Sequence, residues 1–208
     1  LIQKQKRLFK GFNEYEDIHR LAFDIETTAL RPKDGMIFLL GILDNRGNNK
    51  TFYAHDDESE RQLIRDFFES INQIKPTIIG GYNSSSFDWD WIEQRAQILG
   101  LSFREIVKTL NPNSPFKRKK SLLKLGAEME EYQSTVMWGY NVIDVAHSVR
   151  RAQTINSDIK SWGLKYITEF IGANKDNRVY IDGDKIGSTY EENKEFFFNP
   201  RTGKYKTI

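Results

Sequence analysis

Between Arg20 and Glu26 the chain alternates strictly: Leu21, Phe23 and Ile25 point one way, Ala22, Asp24 and Glu26 the other. Such alternation marks a β-strand with one face in a core, because successive side chains leave a strand on opposite sides. Met36 to Leu43 follows as a continuous apolar run, read as a buried strand. It is reached through a loop carrying Pro32 and the turn pair Asp34-Gly35. Asn45-Arg46-Gly47-Asn48 reads as a turn into a third strand, Lys50 to Ala54.

The period then changes. Leu63, Phe67, Ile71 and Ile74 recur at helical spacing within Ser59 to Ile74, and Pro76 supplies a stop. Thr77 to Tyr82 is a short buried strand, Asn83 to Ser86 a polar cap, and Phe87 to Leu99 a second helix. Three strands, a helix, a strand and a helix predict an α/β fold: a mixed sheet with antiparallel first strands, flanked by helices. Asn111 to Ser121 reads as a loop, with two prolines and the run Lys117-Arg118-Lys119-Lys120. Thr135 to Ile143 reads as a strand, and Asp144 to Gln153 and Ile159 to Ile171 as helices, with Gly172 as the last stop. From residue 173 to 208 the periodicity fades and the tail is not readable.

Composition narrows the chemistry. The chain holds no cysteine, which removes disulfides, zinc-thiolate sites and thiol nucleophiles. Its 38% hydrophobic and 29% charged residues over 208 positions suit one globular domain with a substantial core. No apolar run is long enough for a membrane-spanning helix, and the basic stretch Leu1 to Lys10 lacks the apolar core of a secretory signal. A formal net charge of +2 neither demands nor forbids a nucleic-acid partner, since clustering outweighs the total. The first residue is Leu and not Met, as expected of a piece cut from a longer protein. His19, His55 and His147 are scattered and read as surface or structural residues.

Asp24 and Glu26 stand two apart on the first strand, so both carboxylates leave the same face close together. Like charges held so near repel unless a cation lies between them or one takes a proton. Hard divalent ions such as Mg²⁺ and Mn²⁺ favour such oxygen ligands; a solvated polar face is the plainer alternative. In the helix from Phe87, Asp88 lies on the apolar stripe of Trp91, Ile92, Ala96 and Leu99, while Asp90 and Glu93 point elsewhere. A carboxylate on a buried face needs a partner. Asp88 either caps its own helix or reaches a metal shared with Asp24 and Glu26.

Phe23-Asp24-Ile25-Glu26-Thr27-Thr28 resembles the first exonuclease motif of the family B DNA polymerases, and of the wider DEDD exonuclease group. Gly81-Tyr82-Asn83-Ser84-Ser85-Ser86-Phe87-Asp88 resembles the second: Asn, three residues, then Phe-Asp. Pro76 and Glu93-Gln94-Arg95-Ala96 match the polymerase version, and the resemblance covers Leu21 to Ile171. It implies a ribonuclease-H-like fold and a proofreading-type 3′→5′ exonuclease that removes 3′-terminal nucleotides from DNA. It further implies that Asp24, Glu26, Asp88 and a fourth Asp hold two divalent ions, Mg²⁺ or Mn²⁺, about 3.5–4 Å apart. By the same resemblance Asn83, Phe87 and Thr27 are substrate-binding candidates, although Phe87 also suits a core position beside Trp91. The resemblance further implies DNA with a single-stranded 3′ end as the partner, a polymerase domain C-terminal in the parent chain, and an intracellular setting with DNA, such as the cytoplasm of a prokaryote or a virus-infected cell, rather than a secreted one. Lys117, Arg118, Lys119 and Lys120 would follow a phosphate backbone, or are simply solvated.

The family's third motif is a Tyr, three residues, then an Asp, on a late helix. Tyr140 to Asp144 matches it literally. Yet Trp138 to Asp144, followed by a helix and then Ser161 to Ile167, resembles the polymerase stretch that precedes the third motif. The expectation is therefore a single exonuclease domain over residues 1–208 whose third motif lies beyond Ile208. Asp144 is then a helix N-cap; the alternative makes it the fourth metal ligand. A stand-alone DEDD exonuclease acting on DNA or RNA, completed by Tyr140 and Asp144, is one rival. A degenerate nucleic-acid-binding or structural module is the other.

Overall fold

The computed structural model describes residues 14–110, 116–173, 181–183, 185–199 and 204–205. Its centre is a five-stranded sheet of β1 (Arg20–Thr27), β2 (Ile37–Asp44), β3 (Asn49–Tyr53), β4 (Ile78–Gly81) and β7 (Asn141–Asp144), in the order β3-β2-β1-β4-β7. The first three strands run antiparallel to one another, whereas the β1–β4 and β4–β7 pairs are parallel. Parallel pairs need crossovers. The helix α1 (Asp57–Ile74) carries the chain from β3 to β4, and α2 (Asp88–Ile98) and α3 (Phe103–Lys108) follow β4.

These elements end where local chemistry ends them. Asp56 caps α1 by accepting the Ser59 amide at 2.8 Å, and Lys75 closes it with a left-handed φ of 50° just before Pro76. The inward side of β1, Leu21, Phe23 and Ile25, joins Leu63, Phe67 and Ile71 of α1 and Trp89 and Ile92 of α2 in one buried cluster. Phe23 lies edge-on to Trp89 at 4.8 Å and 5.2 Å from Phe67. Burying side chains of this size stabilises by about 1.5–3 kcal/mol each. At the base of the sheet His19 Nε2 lies 2.7 Å from the buried Asp44 Oδ2. Burial pushes the Asp44 carboxyl upward, but hydrogen bonds from His19, Asn48 and Arg46 outweigh it and hold it well below the usual range.

The structure corrects four readings. Lys117 to Ser121 is no loop: these residues open β5 (Lys117–Leu125), which pairs antiparallel with β6 (Glu128–Val136), while residues 111–115 lie outside the described residues. The expected strand Thr135 to Ile143 is broken, because Gly139 turns at φ 98° between β6 and β7. The helix expected from Asp144 begins one residue later, as α4 (Val145–Ile155), and the one expected from Ile159 shrinks to α5 (Leu164–Phe170), because Gly163 is extended. The unreadable tail contains α6 (Ile186–Phe197) and the short pair β8 (Phe198–Asn199) and β9 (Lys204–Tyr205). Contacts distant in sequence hold α6. Tyr190 stacks on Phe38 at 4.2 Å and donates its hydroxyl to the Ala54 carbonyl at 2.9 Å. Gly187 lies so close to β1 that an added Cβ would meet the Thr28 carbonyl oxygen at 2.3 Å.

Candidate active site

Strand β1 presents Asp24 exposed and Glu26 half-buried on the face away from the core, as the alternation requires. The strand ends just beyond them. Its pairing with β2 shifts register between Glu26 and Thr27, and the Thr27 hydroxyl then donates to the Ala29 carbonyl at 2.9 Å. Two buried side chains hold the loop that follows. Arg95 Nη1 donates to the Pro32 carbonyl at 3.1 Å, and Glu60 Oε1 accepts the Ile37 amide at 2.8 Å. Arg95 and Glu60 are themselves paired, with 2.6 Å between Nη2 and Oε2.

Asp88 is the first residue of α2 and is only 3% exposed. The N-cap position belongs to Phe87, whose side chain caps nothing. Asp88 instead reaches across to β1, where its Oδ1 accepts the amide of Ile25, the residue between Asp24 and Glu26, at 3.2 Å. Burial raises the Asp88 carboxyl to about 7; the charge of Asp24 adds to that, amide hydrogen bonds oppose it, and Asp144 contributes a little more. Glu26 is raised as well, by burial first and by Asp24 second. The charge of Asp24 thus acts on both Asp88 and Glu26, and these two hold their protons more tightly than usual.

These residue types suit a hard divalent cation, being all oxygen and mutually repelling, with Asp88 buried, Glu26 half-buried and Asp24 exposed. Among the described residues no three His, Cys, Asp or Glu side chains are already gathered as ligands of one metal ion. Asp88 Oδ1 is directed at the Ile25 amide.

Asp144 is a different matter. Its carboxylate accepts the Asn83 amide at 2.8 Å, the Ser85 amide at 2.9 Å and the Ala146 amide at 3.0 Å, the last as the N-cap of α4. Both oxygens are engaged by backbone, and the side chain is 1% exposed. Of the two roles considered for Asp144, the geometry shows the cap. Tyr140 sits in the turn before β7, packed against the core, so Tyr140 and Asp144 do not share a helix.

The remaining candidates divide. Asn83 adopts a left-handed φ of 60° at the start of the turn into α2. Phe87 packs against the core with its ring 6.0 Å from Trp91. Lys117, Lys119 and Lys120 are exposed and Arg118 is half-buried; alternation along β5 sends Lys117 and Lys119 to one side and Arg118 and Lys120 to the other. Lys120 pairs with Glu131 at 3.2 Å, and Arg118 turns inward to donate to the Ser85 carbonyl at 2.7 Å. Burial lowers the Arg118 pKa, partly offset by Asp90 and Glu93. The sequence reading missed Arg118 as a half-buried tie, and the Glu60–Arg95 pair altogether. Basic residues before Gly126 facing acidic ones after it were the available sign of the hairpin. Along the exposed side of β1 a cavity of about 540 Å³ is lined by Ala22, Asp24, Leu43, Gly80, Tyr82 and Ile143, among others.

A mixed five-stranded sheet with acidic residues at the end of its central strand is the frame of a polymerase-type exonuclease domain. The chain belongs to that family: the model described as DNA polymerase family B, exonuclease domain, matches residues 30–167. The match takes in Asp88 and begins just after Asp24 and Glu26. The catalytic polypeptide of DNA polymerase epsilon from Aspergillus fumigatus is 33% identical over 41% of this chain and 5% of its own length. DNA polymerase 2 of Aeropyrum pernix is 31% identical over 44% of this chain and 12% of its own length. The family B DNA polymerase of Pyrobaculum calidifontis shares the fold with a TM-score of 0.62 at 23% identity, over 84% of this chain and 21% of that one. The chain thus spans only a small part of each. None of the described helices is long and apolar enough to cross a membrane.

Proposed function

We propose that this chain is the proofreading-type 3′→5′ exonuclease domain of a family B DNA polymerase, acting on single-stranded 3′ ends of DNA. Asp24, Glu26 and Asp88 are its ligands for Mg²⁺ or Mn²⁺. The observation that carries the reading is the reach of Asp88 to the Ile25 amide, between the two acids of β1. Bound divalent ions in such a site supply an activated water and stabilise the departing 3′ oxygen. The chain's own part is to hold crowded carboxylates at the end of a rigid strand, with Asn83 and Thr27 at its edge to contact the last nucleotide. The names of the relatives, all DNA polymerases, favour DNA over RNA and a polymerase domain in the parent protein. They also favour an intracellular, DNA-associated setting.

The fourth ligand, on this proposal, is not Asp144, whose oxygens are taken by three amides. It comes from a third motif beyond Ile208, so residues 1–208 are a single domain short of one ligand. The test uses a 5′-labelled single-stranded oligodeoxynucleotide with Mn²⁺, comparing the 208-residue chain with its longest natural form. The long form is expected to shorten the strand one nucleotide at a time from the 3′ end, and the chain alone to do so weakly or not at all. Internal cuts or attack from the 5′ end would overturn the exonuclease reading. Brisk digestion by the chain alone would return Asp144 to the ligand set.

A further inference from the structure

The turn from Asn83 to Phe87 aims Asp88, yet it has little to hold itself in shape. Asn83 lies in the left-handed region, which asparagine tolerates better than other residues with a Cβ but which still narrows its conformational choice. The helix that follows lacks a capping side chain. The turn also presses on the strand before it: a Cβ at Gly81 would meet the Ser84 Cβ at 2.5 Å, so only glycine allows the approach. Its own hydrogen bonds are short-range, Ser86 and Phe87 amides to the Asn83 carbonyl at 3.1 and 3.2 Å.

What fixes the turn comes from outside. Asp144 stands beside Gly81 in the β4–β7 register and takes the Asn83 and Ser85 amides, one on each oxygen. On the other side of the same residue, Arg118 Nη2 donates to the Ser85 carbonyl. Ser85 is therefore gripped at both its N–H and its C=O, by β7 and by β5. Charge-assisted hydrogen bonds of this kind are the stronger sort, and the one from the Ser85 amide to Asp144 is buried.

We propose that Asp144, seconded by Arg118, is a positioning residue for the metal site: it locks the Asn83–Phe87 turn so that Asp88 meets β1 between Asp24 and Glu26. The inference rests on the metal reading above and extends it to two residues outside both acidic motifs. Supports of this kind behind a metal ligand are typically worth about 10–100-fold in metal affinity.

The test is Mn²⁺ titration of the 208-residue chain, followed by electron paramagnetic resonance, for the wild type, Asp144→Asn and Arg118→Ala. Measurements are made well below each variant's melting temperature. Asn cannot accept at both positions, since its amide nitrogen would face an N–H. Asp144→Asn is expected to weaken Mn²⁺ binding about 10–100-fold with the number of bound ions unchanged. Arg118→Ala is expected to weaken it about tenfold, and in both variants the Asn83 and Ser85 amides exchange hydrogen faster. A role confined to capping α4 would lower the melting temperature and leave Mn²⁺ affinity alone. If Asp144→Asn does not fold, Arg118→Ala decides, because Arg118 takes no part in that cap. Unchanged affinity in Arg118→Ala, or loss of one bound ion in Asp144→Asn, would overturn the proposal alone. A wild-type chain that binds no Mn²⁺ would overturn the metal reading and this one with it.

Discussion

Asp88→Asn raises the melting temperature of the metal-free chain at pH 8 and leaves it nearly unchanged at pH 4. The cause is the buried carboxyl, raised to about 7 in the folded protein, against about 3.9 for an aspartate in the unfolded chain. Below the unfolded value both states carry the proton, and stability is undiminished. As the pH rises, the unfolded chain releases its proton first, so folding loses free energy until the folded carboxyl also ionises near neutrality. The full loss is about 4 kcal/mol, reached above pH 7. Asparagine has nearly the same shape, carries no charge, and still accepts the Ile25 amide. The gain at pH 8 is therefore about 10 °C, at roughly 2–4 °C per kcal/mol for a chain of this size. Thermal melts in the presence of a chelator measure it. Equal gains at both pH values would mean that the charge of Asp88 is not the cause. The same variant is expected to lose metal-dependent hydrolysis in the longer natural form by about a thousandfold, because a metal contributes several kcal/mol to such a reaction.

Arg95→Ala acts in the opposite direction. Glu60 is wholly buried and depends on Arg95 for its counter-charge, with 2.9 Å from Nε to Oε1 and 2.6 Å from Nη2 to Oε2. Removing the guanidinium leaves a buried carboxylate unpaired and frees the Pro32 carbonyl, at a cost of about 3–5 kcal/mol. Denaturant unfolding measures the loss. The double variant Glu60→Gln/Arg95→Met is expected to be less damaged than Arg95→Ala alone. It abolishes the lone charge while glutamine still accepts the Ile37 amide. A loss under about 0.5 kcal/mol for Arg95→Ala, the size of an ordinary surface change, would show that the pair does not hold this loop.

What could be read from the residues was what local spacing encodes. The alternation of β1, the stripe of α1 and the placing of Asp24, Glu26 and Asp88 follow from periods of two and 3.6 residues, and the structure keeps them. The hairpin β5–β6 escaped because its apolar signal is slight: on β5 only Leu123 is buried, and on β6 Glu128, Met129, Glu130 and Glu131 all stand exposed. Its pairing with β5 is made by backbone hydrogen bonds. The helix α6 escaped because Gly187 and Tyr190 find their partners at Thr28 and Ala54, far away in sequence. The part of Asp144 was half legible. Its place at a strand-to-helix junction pointed to a cap, but the amides it grips lie 61 and 59 positions earlier. No local pattern carries that information.

The most direct test is a crystal of the chain soaked in Mn²⁺ and measured at the manganese absorption edge. Anomalous density is expected at the end of β1, within direct metal–oxygen bonding distance of carboxylate oxygens of Asp24 and Asp88. Manganese bound only elsewhere on the molecule, or a site that stays vacant at saturating Mn²⁺, would mean that the first strand and the Phe87 turn do not share an ion.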